Sequence, residues 1–230
     1  MKNNFKKNNY VLVKKAVSKE IATFLYNYFI IKQKVYDLAL KERYISPFEK
    51  MLGVYEGSVD RGGQVPGTYA NYGDIAGDTL LLKTQKTVEE QTGLKLYPNY
   101  SYERNYKKGD KLVRHIDRNT CEVSTTIFLG GDQWPIHLDP TKGRNKKGVS
   151  FNLKPGDMLI YKGSALEHWR EPFEGNDCVQ IFLHYSNIKT KKAKEDLYDG
   201  RPCLGLPSWF NKKWQKEIIN DKLGRIKKYT

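Results

Sequence analysis

A chain of 230 residues, 39% hydrophobic and 29% charged, is long enough to bury roughly 70% of its unfolded surface around one core without a disulfide or zinc staple. Its three cysteines, Cys121, Cys178 and Cys203, are odd in number and lack Cys-x-x-Cys spacing, which excludes a disulfide framework and fits a reducing, cytoplasmic compartment. The start MKNNFKKNNYVLVKK has no apolar run of signal-peptide length, and no segment approaches the ~20 apolar residues of a membrane span, so secreted and membrane-spanning readings fall away.

The formal charge of +14 makes nucleic acid an obvious partner class. Its distribution weakens that reading. The excess is +5 over residues 1–100, +2 over 101–185 and +7 over 186–230, so half of it lies in the last 45 residues.

In chain order, Ser18 caps an amphipathic helix expected to run to about Glu42, with Ile21, Phe24, Leu25, Tyr28, Ile31, Val35 and Leu38 recurring at three- and four-residue intervals. A Gly-rich stretch from Gly57 to Gly77 reads as a long ordered loop or a flap, without regular structure. A second helix, about Asp78 to Thr92, ends at Gly93. From Leu94 the period shifts toward two. Strands are expected at Tyr100–Tyr106, Lys111–His115, Val123–Leu129, Trp134–Leu138, Val149–Leu153, Met158–Tyr161 and Cys178–Tyr185, with turns at KKGD, GGDQ, PTKGRNKKG and KPGD. Seven or eight such strands suggest a barrel-like sandwich of the jelly-roll kind. The tail from Lys189 is basic, with an aromatic helix signal from Ser208 to Trp214. The whole reads as one α+β domain, mainly β: helices and the Gly-rich loop in 1–99, the barrel in 100–185, and a basic helical extension in 186–230.

The four histidines carry the functional reading. His115 and Asp117 form His-x-Asp, and so do His137 and Asp139. Two side chains one residue apart at a strand end point the same way, and an imidazole with a carboxylate supplies two facial ligands to Fe(II). A late-strand histidine completes the set if enough strands intervene to bring the chain back around the barrel. Four strand runs separate Asp117 from His168 and only two separate Asp139 from it, so His115, Asp117 and His168 form the better constellation. His137 reads as an edge or rim residue, and His184 as a hydrogen-bonded interior histidine.

The segment YERNYKKGDKLVRHIDRN, then VSTTIFL, then VSFNLKPGDMLIYKGSALEHWREPFEG and a closing strand resembles the Fe(II)/2-oxoglutarate dioxygenases of the prolyl-4-hydroxylase type. The likeness covers residues 100–185. It rests on Tyr-x-x-Gly before Arg-His-x-Asp, a Pro-Gly-Asp turn into an apolar strand, and a His followed closely by Pro and Gly. The resemblance implies a double-stranded β-helix with ferrous iron on His115, Asp117 and His168. It also implies an oxidant generated from O2 as 2-oxoglutarate is decarboxylated to succinate, with ascorbate in support. Three protein ligands leave three octahedral positions, two for a chelating 2-oxo acid and one for O2.

The chain departs from that family where the co-substrate's far carboxylate should be met. The family places Arg or Lys nine to twelve residues after the distal His; here those positions hold Asp177, Cys178, Val179 and Gln180. A buried dianion without a cation is costly. Arg170 is the nearest basic residue, able to grip a carboxylate in two places or to pair instead with Glu171 or Glu174. Tyr106 occupies the family's co-substrate tyrosine position, and Arg104 and Gln180 are further candidates. Trp169 and Tyr102 are the expected substrate contacts, and the Gly57–Gly77 loop either closes over substrate or has no such role. The leading expectation is hydroxylation of an unactivated C–H bond, on a prolyl residue or amino acid, in a small molecule or peptide. A nucleic-acid-directed oxidative demethylase and a non-catalytic β-barrel binding protein are the alternatives.

Overall fold

The computed structural model describes residues 4–44, 57–59, 63–141 and 147–210. The Lys/Asn-rich start, for which the sequence carries no structural expectation, forms a short helix, α1 (Asn4–Asn8), and a strand, β1 (Tyr10–Val13). Phe5 anchors it, 5% exposed in the core beneath the helices. Ser18 then caps α2 (Lys19–Lys41), its Oγ accepting from the Ile21 N–H at 3.2 Å.

The apolar seam of α2 behaves differently from expectation. Ala22, Leu25, Phe29 and Tyr36 are its buried residues, whereas Phe24, Ile31, Val35 and Leu38 are all more than half exposed. The sheet beneath needs only one stripe of the helix, and α2 turns Leu25 and Phe29 toward it.

The Gly-rich stretch is also more regular than its composition suggests. It contains β2 (Ser58–Val59) and β3 (Tyr69–Tyr72), paired antiparallel. It then enters α3 (Ile75–Thr92), which starts three residues before the expected point because Asp74 caps it, accepting from the N–H groups of Ala76 and Gly77. Gly93 ends α3 at φ 71°, a left-handed conformation glycine adopts without strain.

The remaining strands are β4 (Leu96–Lys107), β5 (Leu112–His115), β6 (Val123–Gly131), β7 (Ile136–Asp139), β8 (Val149–Phe151), β9 (Met158–Tyr161), β10 (Glu167–Arg170) and β11 (Asp177–Asn187). β10 was absent from the sequence expectation. The strands form a seven-stranded sheet in the order β1-β9-β6-β11-β4-β3-β2 and a four-stranded sheet in the order β5-β10-β7-β8, both antiparallel throughout. This is the double-stranded β-helix expected. Of the expected extension, residues 188–210 carry two short 3-10 turns, and its aromatic helix signal lies mostly outside the described residues.

Period-two alternation sorts the large sheet. On β11, Val179, Ile181, Leu183 and Tyr185 join the core under α2 and α3, while Cys178 and Phe182 pack into the second core between the sheets. On β4, Tyr100, Tyr102, Arg104 and Tyr106 line the barrel cavity, while Ser101 meets Asp78 of α3 and Asn105 meets Phe29 and Gln33 of α2. Buried Arg201 ties the C-terminal segment down, bridging Asp78 at 3.2 Å and donating to Asn99 O. Among the described residues no helix is long and apolar enough to cross a membrane.

Candidate metal centre

β10 pairs with β5 so that His168 lies directly opposite His115, and their ring centroids are 4.2 Å apart. Asp117 follows two residues after the end of β5, its position fixed by its N–H donating to Gly163 O at 2.9 Å. Its Oδ1 lies 3.7 Å from His115 Nε2 and 3.5 Å from His168 Nε2. The three ligand atoms fall within 4.8 Å of one another, the one such His/Cys/Asp/Glu grouping among the described residues.

Hydrogen bonding fixes the tautomers. His115 Nδ1 meets Val113 O at 2.6 Å and His168 Nδ1 meets Leu166 O at 3.0 Å. A carbonyl only accepts, so each Nδ1 carries the proton and each Nε2 lone pair faces the shared point. Burial and the neighbouring His168 hold the His115 pKa below its ordinary 6.5. Burial opposes ionisation of Asp117, but His168, His184 and the Ser124 hydroxyl outweigh it and keep the carboxyl far below the usual carboxylate range. Two imidazoles and one carboxylate converging on a common point suit a divalent iron-type ion.

The triad opens onto a cavity of about 550 Å³ whose wall includes Tyr102, Arg104, Tyr106, Arg118 and Tyr161. Arg104 lies 5.2 Å from the Tyr102 ring and 5.8 Å from the Tyr106 ring, and donates to Tyr102 Oη at 3.2 Å. Arg118 stands 4.6 Å over the Tyr100 ring, held by Asp199 at 2.7 Å.

Arg170 shares the inward face of β10 with His168 and is fully buried, opposite Leu112 of the cavity wall. Its guanidinium sits over Trp134, 5.1 Å from the ring centroid, and Nη1 donates to Trp134 O. Neither Glu171 nor Glu174 bridges it. Among the described residues Nε and Nη2 have no hydrogen-bond partner, nor has the buried hydroxyl of Tyr106. Burial and the electrostatics of Cys178, Tyr106 and Tyr161 act on this group, with burial pulling the Arg170 pKa down. Unpartnered donors on a buried cation are compatible with a carboxylate-bearing co-substrate, although Arg170 lies behind the cavity wall and is not one of its lining residues.

Not every expected site residue reaches the cavity. Trp169 alternates with His168 and points out of the barrel, stacked on His137 at 5.3 Å and covered by Arg114 at 4.4 Å. It is therefore corrected from a substrate contact to an outer-face packing residue. Gln180 faces inward, but Thr126 and Cys178 occupy its amide, and it does not line the cavity. Tyr102 does line it. Sequence reasoning missed Ser124, whose Oγ donates to Asp117 Oδ2 at 2.6 Å and meets His184 Nδ1 at 3.0 Å. It also missed Gly163, where a Cβ would sit 2.1 Å from Ser124 Oγ and 2.3 Å from Asp117 Oδ2. The inward alternation of β6 was the available signal for Ser124.

No protein-family model and no curated protein sequence matches this chain. Solved structures do. A prolyl-4-hydroxylase from Pseudomonas putida is similar with a TM-score of 0.58 at 13% identity, covering 80% of this chain and 96% of that one. A prolyl hydroxylase from Trichoplax adhaerens, in complex with a hypoxia inducible factor oxygen degradation domain peptide fragment, matches with a TM-score of 0.54 at 14% identity, over 81% and 87% of the two chains. HygX from Streptomyces hygroscopicus, with nickel and 2-oxoglutarate bound, matches with a TM-score of 0.52 at 11% identity, over 82% and 86%. The chain has the double-stranded β-helix fold of the Fe(II)/2-oxoglutarate oxygenases, in the form seen in prolyl hydroxylases.

Proposed function

We propose that this chain is an Fe(II)- and 2-oxoglutarate-dependent dioxygenase that hydroxylates an unactivated C–H bond, with a prolyl residue in a peptide or a free amino acid as substrate. The observation that carries the reading is the conjunction, in one barrel, of a two-histidine, one-carboxylate triad with a buried guanidinium whose Nε and Nη2 lack partners. When bound, the iron and co-substrate supply oxidising power from O2 at the expense of 2-oxoglutarate, which leaves as succinate and CO2, with ascorbate maintaining the ferrous state.

The chain's own residues hold and orient. His115, Asp117 and His168 would hold the metal, a three-ligand set that suits an ion with open positions for co-substrate and O2. Arg170 would hold the far carboxylate of the co-substrate through Nε and Nη2, and the Tyr106 hydroxyl would donate to the same group. The pairing neutralises a cation that is otherwise costly in the interior. Arg104, braced by Tyr102 and Tyr106, orients the co-substrate from the opposite sheet, and Tyr102 meets the substrate. A peptide substrate is in keeping with the peptide held by the Trichoplax protein.

The test is succinate formation by purified protein with Fe(II), 2-oxoglutarate and ascorbate, with and without prolyl peptides and L-proline. Iron-dependent succinate that disappears in His168→Ala is expected. Absence of both iron binding and turnover overturns the reading.

A further inference from the structure

Asp117 has two carboxylate oxygens, and the surrounding protein treats them differently. Oδ1 faces the two imidazoles. Oδ2 is turned the other way, into a buried hydrogen-bond chain that the triad alone does not require. Ser124, fully buried on β6, donates to it at 2.6 Å. A serine hydroxyl has one proton, and an ionised carboxylate can only accept, so that proton is committed to Asp117. The ring nitrogen 3.0 Å away on the far side of Oγ, His184 Nδ1, must then be the donor. The 2.6 Å contact to Asp117 Oδ2 is far shorter than the alternative 3.5 Å contact to Cys121 O, which gives the order His184 Nδ1–H to Ser124 Oγ–H to Asp117 Oδ2.

His184 has little freedom to abandon that role. It is 6% exposed, stacked on Tyr100 at 4.5 Å with 27° between the planes, and Tyr100 is stacked in turn on Tyr72 at 4.9 Å. Gly163 supplies the space, since any side chain there would drive into both Ser124 Oγ and Asp117 Oδ2.

We propose that Ser124, oriented by His184, is a positioning residue that holds Asp117 to the metal through Oδ1 alone and so keeps three coordination positions open. Resting on the metal reading above, this adds what that reading lacks: a reason the carboxylate does not close onto the ion with both oxygens. A two-oxygen grip would leave two open positions, enough for a chelating 2-oxo acid and none for O2. Outer partners of this kind act on ligand orientation, and their loss typically weakens metal affinity 10- to 100-fold.

The test uses Mn(II), whose exchangeable bound waters are counted by water-proton relaxation in the metal-loaded protein without co-substrate. Wild type is expected to show three waters. Ser124→Ala is expected to show two, with roughly tenfold or greater change in Mn(II) affinity. His184→Phe, which keeps the ring stack but not the donor, should shift in the same direction, and His184→Asn, which restores an N–H near Nδ1, should return toward wild type. Thermal melting of each metal-free protein separates misfolding from repositioning. Three waters and unchanged affinity in folded Ser124→Ala overturn the positioning role. Failure of wild type to bind Mn(II) at all overturns the metal reading itself.

Discussion

The guanidinium of Arg170 lies over the ring of Trp134 and donates to that residue's own carbonyl, so Trp134 holds Arg170 by both its side chain and its backbone. The grip uses Nη1 and leaves the edge formed by Nε and Nη2 without a partner. That edge is where a carboxylate would lie.

Replacing Arg170 with Met should therefore weaken 2-oxoglutarate binding to the Mn(II)-loaded protein by about 2–5 kcal/mol, or thirtyfold and upward. Equilibrium dialysis or calorimetry measures this directly. The metal-free variant should melt no lower than wild type, because it no longer buries an unpaired cation. Unchanged 2-oxoglutarate affinity in a folded variant would assign the carboxylate to another group.

His168→Ala and Asp117→Ala should each remove stoichiometric iron, measured by metal analysis after reconstitution. His137→Ala and Trp169→Phe should leave iron content at the wild-type level, since both side chains stack on the outer face of the small sheet. Loss of iron from the His137 variant would reopen the second His-x-Asp pair as the site.

Gly163→Ala forces a methyl group into Ser124 Oγ and Asp117 Oδ2. Overpacking a tight site costs about 1–3 kcal/mol, and here the displaced atoms belong to the metal centre. Chemical denaturation should show that loss, with weakened iron binding in parallel. Full iron affinity in this variant would show that Asp117 tolerates displacement.

The Pro-Gly-Asp turn should matter for stability and not for chemistry. Burial opposes ionisation of Asp157, but the Lys14 ammonium and the N–H groups of Lys15 and Lys154 outweigh it and hold its pKa below the ordinary 3.8. A depressed native pKa means the stabilisation is present above about pH 4 and is lost as pH falls through the native value. Asp157→Asn should therefore cost about 1–3 kcal/mol at neutral pH, lose less stability than wild type on acidification below pH 4, and retain iron. Denaturation midpoints across that range, with metal analysis, check all three.

The barrel and the metal triad were legible because their signals are local. Strand alternation, turn residues and the His-x-Asp spacing survive without knowledge of tertiary contacts, and the caps at Ser18 and Gly93 fell where the residue chemistry puts them. β10 was missed because EHWR is four residues long and follows the turn at Gly163–Ala165 without an alternating apolar pattern. Its strand state is imposed by β5 and β7 on either side. The same omission misplaced Trp169, since without a strand there was no alternation to send it outward. The seam of α2 misled for another reason: periodicity identifies a helix, and only the packed sheet determines which stripe is covered. β2 and β3 were hidden by glycines, although β3 pairs with β4 over four residues.

His168 and Arg170 are carried by one strand, two residues apart, which in extended backbone is ~6.7 Å. The proposed metal ligand and carboxylate anchor are thus graduations on one ruler. Any shift of β10 along its neighbours moves both together and leaves their separation unchanged. If Arg170 meets the far carboxylate, selectivity for the length of a dicarboxylic co-substrate would rest on the short span of β10 from His168 to Arg170, with Trp134 setting where the guanidinium lies.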